Sequence, residues 1–500
     1  MTTKDPSCGW KIGAPTIASV FRAAVTKVPD ALYCKTSRGA LTYGQAAGAV
    51  QTLADELRAD VQGRAVALIL PNSAAFLIAY FATLFAGGKP ALINHGHPEA
   101  TVQKLLEGLG AAVILSDKPH GDYPTRILTD TMVDALVNPV DLDRFTDPGR
   151  ADDIAAIMYS GGTTGLPKQV PHTNAAVIGL MERADWGWRT GKGEIWLPVA
   201  PFTHIYGFQM GLANPIIRAG AIVIPDRFQP DLVVDMLMDE GVTIFGGGPP
   251  AVYQAVMSSA KFADARFPRL RICPGAGAPF PLDVHRRWHE ATGLKLYEGY
   301  GMTEIAPVSV NTKEFGVRPG SAGKAVPDTV IEIVDLETGE NVLPSGEAGE
   351  IRVKGPHMMT GYSGNPEETK IAIRHGFIYT GDIGTLDDQG FLTITDRKKN
   401  VIFVSGFNVF PREVEELLLT HPAVAASCVV GRADGRKGEV PVAFVTLRSE
   451  VTGKDILAFC DDNLIAYKVP AAVVILEQMP LTPAGKVDRI ALQKTLGEGA

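Results

Sequence analysis

The chain has 500 residues, 46% of them hydrophobic, which suffices for large buried cores and about three domain-sized units. Its 47 basic and 55 acidic side chains leave a formal charge of −8 with no basic tract, so neither nucleic acid nor an anionic membrane surface is expected as a partner. Five scattered cysteines, Cys8, Cys34, Cys273, Cys428 and Cys460, form no CxxC pair, which disfavours a disulfide framework or zinc site and points to a reducing compartment.

In chain order, residues 1–10 show no basic region followed by an apolar core, so a cytoplasmic location is expected. Residues 66–70 read as a buried strand stopped by Pro71, and the apolar run 74–86 as a core helix ended by Gly87-Gly88. That run is shorter than the roughly 20 residues of a membrane-spanning helix, so no integral membrane segment is expected. A strand at 90–94, a helix at 99–109 and a strand at 111–116 continue the rhythm of a parallel α/β sheet. Residues 154–158 form an apolar strand, and 175–181 a helix. The alternation resumes with helices at 232–240, 251–258 and 282–292 and strands at 242–245, 270–273 and 294–297. Two such layers account for the chain to about residue 320.

Beyond Gly323 the texture changes to short strands, 330–335 and 349–354, punctuated by Gly and Pro, which suggests a β-rich subdomain over about 323–397. A compact α+β piece follows, with helices at 413–420 and 456–464 and strands at 424–430, 442–447 and 473–476. The expected organisation is α/β: a large N-terminal domain, 1–397, of stacked α/β sheets plus the β-rich subdomain, then a small mobile α+β domain, 398–500.

The strand at 154–158 runs into Ser160-Gly161-Gly162-Thr163-Thr164-Gly165-Leu-Pro-Lys168. Glycines let backbone N–H groups converge on an anion, hydroxyls add donors, and the lysine supplies a point charge, so the loop suits phosphates. A Walker-type cradle needs glycine before the lysine and a helix starting there. Pro167 occupies that position and disfavours helical geometry in its neighbour.

Tyr159-Ser-Gly-Gly-Thr-Thr-Gly-Leu-Pro-Lys168 resembles the phosphate-loop signature of the adenylate-forming acyl-CoA synthetase superfamily. Further signatures follow in order: Ala200-Pro-Phe-Thr-His204, Pro274-Gly-Ala-Gly-Ala-Pro279, Tyr297-Glu-Gly-Tyr-Gly-Met-Thr-Glu304, Tyr379-Thr-Gly-Asp382, Asp396-Arg-Lys-Lys399 and Pro483-Ala-Gly-Lys486. The resemblance implies activation of a carboxylate. Its leaving group would be oxide, so ATP first forms an acyl-adenylate with loss of pyrophosphate, and the thiol of coenzyme A then displaces AMP. The first step brings two anions together, and the site must supply cations and oriented donors.

The resemblance assigns roles by position. Gly277, Ala278 and Pro279 belong to the adenine-contacting turn, and Glu298, Gly299, Tyr300, Gly301 and Met302 to the nucleotide motif, with the face of Tyr300 against adenine. Thr303 donates to the α-phosphate. Glu304 binds Mg²⁺, assisted by Thr163, since a hard cation on phosphate oxygens takes one or two protein ligands. Asp382 accepts from the ribose hydroxyls and Arg397 adds ribose or phosphate contacts. Lys486 bridges the α-phosphate and the substrate carboxylate. The C-terminal domain then rotates about Lys399, and Gly406 and Phe407 line the pantetheine channel. Arg436 and Lys437 either meet coenzyme A phosphates or form a solvated turn.

His204, Ile205, Tyr206, residues 246–250, Pro307 and Val308 line the acyl pocket by the same analogy, the alternative for His204 being a satisfied core histidine. Few of these groups are charged, so an apolar fatty or aryl acid is favoured over a dicarboxylate, which needs a cation. The sequence departs from the family at Gly161, where a hydroxyl residue is common, and at Ala276, where glycine is usual. A shorter N-terminus leaves homodimerisation open. An amide synthetase or carrier-protein acyl ligase using the same adenylate is the alternative; a nucleotide-binding protein without activity has no need of Lys486.

Overall fold

The computed structural model describes residues 11–161, 166–481 and 487–497. The chain divides into two compact units, one of Met1–Ile331, Val353–Tyr379 and Gly390–Leu392, the other of Glu332–Arg352, Thr380–Gln389 and Thr393–Ala500.

In the first unit a six-stranded sheet starts from Ala65–Ile69, which pairs in parallel with Lys89–Leu92 on one side and Val113–Ser116 on the other. The expected α/β rhythm is therefore present. Parallel strands need crossovers, and the helices Ala74–Phe85 and Glu99–Leu109 supply them. All twelve residues of Ala74–Phe85 are buried, so this apolar run is a core helix. Phe81 stacks on Phe21 at 4.2 Å between centroids, and truncating such a side chain to alanine costs about 3–5 kcal/mol. Among the described residues no helix is long and apolar enough to cross a membrane.

Ile154–Ser160 extends the same sheet and turns back antiparallel to Lys168–Thr173, with Ser160 opposite Lys168. The phosphate loop thus joins two strands of one hairpin, and the helix Asn174–Trp188 starts only after the second strand. A second sheet of five strands contains Ile195–Pro198, Ala221–Val223 and Ile244–Gly246 in parallel. A third of four strands runs Cys273–Gly275, Leu296–Met302, Ile305–Val310 and Lys324–Ala325. The helix Leu282–Thr292, ended by Gly293 at φ 71°, carries the chain between its first two strands.

Short strands fill the following segment, Val330–Val334, Gly349–Lys354, Phe377–Leu386 and Leu392–Arg397, as the alternating sequence suggests. In the second unit a long antiparallel hairpin, Val424–Asp434 with Gly438–Leu447, is flanked by Ile402–Val404 and Ala472–Ile475. The helices Pro411–Thr420 and Gly453–Asn463 cover it, burying Val414, Leu418, Ile456 and Cys460.

Candidate functional site

Gly161 is exposed, and a Cβ there would meet nothing within 4 Å, so packing does not demand glycine at this departure from the family pattern. Gly162, Thr163, Thr164 and Gly165 lie outside the described residues, as does Lys486. Lys168 closes the hairpin with its ammonium 2.6 Å from a Glu368 carboxylate oxygen and 4.8 Å from the centroid of the Tyr362 ring.

The 274–279 turn leaves the strand Cys273–Gly275, and Gly277 adopts φ 88°, a left-handed conformation that favours glycine. Two buried phenols, Tyr206 and Tyr253, donate to the Pro274 carbonyl at 3.0 and 2.6 Å and fix the entry to the turn. Glu298 fixes its exit: one carboxylate oxygen accepts from Phe280 N–H at 3.2 Å, and the other lies 3.2 Å from His285 Nε2. Glu298 is thus committed to the turn's own backbone.

Strand Leu296–Met302 pairs antiparallel with Ile305–Val310, Met302 opposite Ile305, so Thr303 and Glu304 are the two-residue tip of a hairpin. The signature Glu298, Gly299, Tyr300, Gly301, Met302 is strand, and a Cβ on Gly301 would come within 3.0 Å of Ala306 Cβ. Residues distant in sequence grip the tip. Met359 N–H donates to the Glu304 carbonyl at 2.8 Å, the Tyr362 hydroxyl donates to Glu304 Oε1 at 2.8 Å, and His357 Nε2 lies 2.7 Å from the Pro307 carbonyl. Burial, and then the charge of Glu304, holds the Tyr362 phenol protonated as a donor. Burial also lowers His172 to about 4, partly offset by the Thr303 main chain. His357 is lowered to about 3, by burial first and Arg183 next. Both imidazoles are neutral at pH 7.

The Glu304 carboxylate is buried, 5% exposed, yet among the described residues no lysine, arginine or histidine pairs with it. No cluster of three or more His, Cys, Asp or Glu exists there to form an all-protein metal cage. One buried carboxylate lacking a positive partner fits a hard cation that brings phosphate oxygens with it.

His204 is exposed at the N-terminus of the short helix Ile205–Phe208, its Nδ1 accepting from Tyr206 N–H at 3.3 Å, so it is not a core histidine. Tyr206 belongs to a buried apolar cluster with Trp196, Met210, Ile244 and Ile272.

The second unit brings Asp382 and Arg397 together, Nε to carboxylate 3.0 Å, with Asp382 buried and Arg397 60% exposed. Asp396 is structural: its oxygens accept from Arg397 N–H, Asn400 Nδ2 and Arg412 N–H at 2.7, 3.0 and 2.9 Å. Burial, and then Arg397, lowers Lys399. Ser405 and Gly406, at φ 50° and 85°, turn Ile402–Val404 back into Phe407–Val409. Phe407 is 54% exposed and stacks on Tyr467 at 4.6 Å. Arg436 and Lys437 donate through their backbone to Asp434, which caps their turn.

Tyr362, Glu368, His172, His285 and His357 belong to none of the sequence signatures. Asn365-Pro366-Glu367-Glu368 is legible as a helix start, with Asn365 accepting from Glu368 N–H, but nothing local shows that the preceding tyrosine reaches Glu304.

A model described as AMP-binding enzyme matches residues 21–363, and one described as AMP-binding enzyme C-terminal domain matches residues 413–486. The chain belongs to the AMP-binding enzyme family. This AMP-binding enzyme is 31% identical to a long-chain-fatty-acid–CoA ligase of Bacillus subtilis, covering 95% of this chain and 93% of the relative. It is also 31% identical to a feruloyl-CoA synthase of Amycolatopsis, covering 94% and 96%. Among solved structures, ATP-bound MatB from Rhodopseudomonas palustris superposes with a TM-score of 0.87 at 26% identity over 96% of this chain and 98% of that one. The o-succinylbenzoate CoA synthetase of Bacillus subtilis in complex with its acyl-adenylate gives 0.81 at 27% identity over 95% and 97%.

Proposed function

We propose an apolar carboxylic acid, fatty or aryl, as the substrate of this chain. The chain is an ATP-dependent acid–thiol ligase of the AMP-forming kind, the activity that its family and the names of its relatives share. It joins the acid to coenzyme A through an acyl-adenylate. The observation that supports the apolar reading is that Ile205 and Tyr206, next to His204, are buried, Tyr206 within an apolar cluster with Trp196, Met210, Ile244 and Ile272. Arg271, beside Ile272 in sequence, is paired with Glu194 and so is not offered to a second carboxylate.

In this reading Tyr300 and the 274–279 turn receive adenine, and Asp382 with Arg397 receives ribose. Glu304, with Thr163, holds the magnesium ion, which when bound screens the phosphate charge. Thr303 donates to the α-phosphate. Lys486 neutralises the encounter of carboxylate and phosphate, and after rotation about Lys399 the Gly406–Phe407 turn lines the path of the thiol. The domain division at 397/398 belongs to the same reading. The four described cysteines are free and buried, which suits a cytoplasmic setting.

Pyrophosphate release measured over fatty acids, aryl acids and malonate, with and without coenzyme A, tests the substrate class. Release with apolar acids and none with malonate is expected. Malonate as the preferred acid would overturn the apolar assignment, and AMP formation without thioester would favour amide or carrier delivery.

A further inference from the structure

We infer that Tyr362 is a positioning residue for the metal–nucleotide complex, presetting the Glu304 carboxylate through a hydrogen bond from its hydroxyl. The inference rests on the reading of Glu304 as the metal ligand.

Glu304 Oε1 accepts from the Tyr362 hydroxyl, and among the described residues Oε2 receives no side-chain hydrogen bond. A buried carboxylate is costly unless paired, and a lysine or arginine here would pair it at the expense of an incoming cation. A phenol fixes the direction of the carboxylate and leaves its charge whole. The same ring presents a face to Lys168 at 4.8 Å. Tyr362 therefore touches both the hairpin tip that carries Glu304 and the last residue of the phosphate loop.

Its own position is set locally. Tyr362 N–H donates to Thr369 Oγ1 at 2.9 Å, and that hydroxyl donates to the Asn365 carbonyl at 2.8 Å. Asn365 in turn caps the helix Pro366–Ala372, accepting from Glu368 N–H at 3.2 Å. Glu368 then reaches Lys168 at 2.6 Å. One capped loop thus holds a metal carboxylate with one side chain and the loop lysine with another.

The test uses the full chain and Tyr362→Phe, which deletes the hydroxyl and keeps the ring. Mn²⁺ binding in the presence of a non-hydrolysable ATP analogue is followed by electron paramagnetic resonance, and AMP binding in EDTA by calorimetry. Mn²⁺ affinity is expected to fall about tenfold, as for one lost hydrogen bond to a charged group, while AMP affinity stays within about twofold. Unchanged Mn²⁺ affinity, or an equal loss for AMP, would overturn the inference. Glu304→Gln separates the two claims. If it too retains Mn²⁺ affinity, the metal assignment itself fails; if it loses Mn²⁺ while Tyr362→Phe does not, only the role of Tyr362 fails. Should Tyr362→Phe not fold, Thr369→Val, which loosens the Tyr362 backbone without touching Glu304, must weaken Mn²⁺ binding in the same direction, and no change there contradicts the role.

Discussion

Glu298 sits near the start of the Tyr297–Glu304 signature and is bonded within the fold. Its carboxylate is buried, and its bonds to Phe280 N–H and His285 tie the 274–279 turn to the strand beside it. Glu298→Ala leaves a buried amide without an acceptor, which costs about 1–3 kcal/mol. The melting temperature is expected to fall and the KM for ATP to rise together, and a melting temperature equal to that of the parent would contradict the role. Asp382 differs in kind, because it is buried while its partner Arg397 is largely exposed. Asp382→Asn is expected to raise the KM for ATP about tenfold, as for one lost hydrogen bond to a charged group, and an unchanged KM would contradict the ribose role.

At the scale of elements, the hairpin tip at Thr303 and Glu304 depends on neutral buried histidines. His172 and His357 titrate below the ordinary imidazole value of 6.5 in the folded chain, and the unfolded chain takes up their protons first as pH falls. Their contribution is therefore complete above pH 6.5 and is lost on the way down to about 4 and 3, at up to roughly 1.4 kcal/mol per pH unit each. The urea midpoint is expected to drop between pH 7 and 5, with a shallower drop in His172→Gln; an unchanged slope in that variant would show that His172 does not contribute. Much of this scale was legible in sequence. The helices Glu99–Leu109 and Leu282–Thr292 match their expected limits because Pro98 and Pro281 precede them and Gly110 and Gly293 end them in left-handed conformations. The strand Lys168–Thr173 was not legible, since Pro171 and two charged or polar neighbours at its start hide the alternation. Leu296–Met302 runs past its expected end at Tyr297 because Gly299 and Gly301 read as turn signals, whereas here they allow close approach of the partner strand. The Tyr362–Glu304 bond spans 58 residues and exists only once the fold has formed.

For the molecule as a whole, adenylation and thioester formation require different groups, and the proposed rotation about Lys399 supplies them in turn. Lys486→Ala is expected to slow adenylation by about 10²–10³, the usual effect of removing one transition-state charge contact, and to leave thioester formation from supplied acyl-adenylate nearly intact. Equal loss in both half-reactions would contradict the assignment. The central claim, that an apolar acid is activated by adenylation and passed to coenzyme A, is tested most directly by isotope transfer. A fatty or aryl acid carrying ¹⁸O in its carboxylate is incubated with ATP, Mg²⁺ and coenzyme A, and the products are weighed by mass spectrometry. One ¹⁸O in AMP is expected for each thioester formed; thioester appearing with ¹⁸O in inorganic phosphate and ADP as the nucleotide product would rule out the adenylate route.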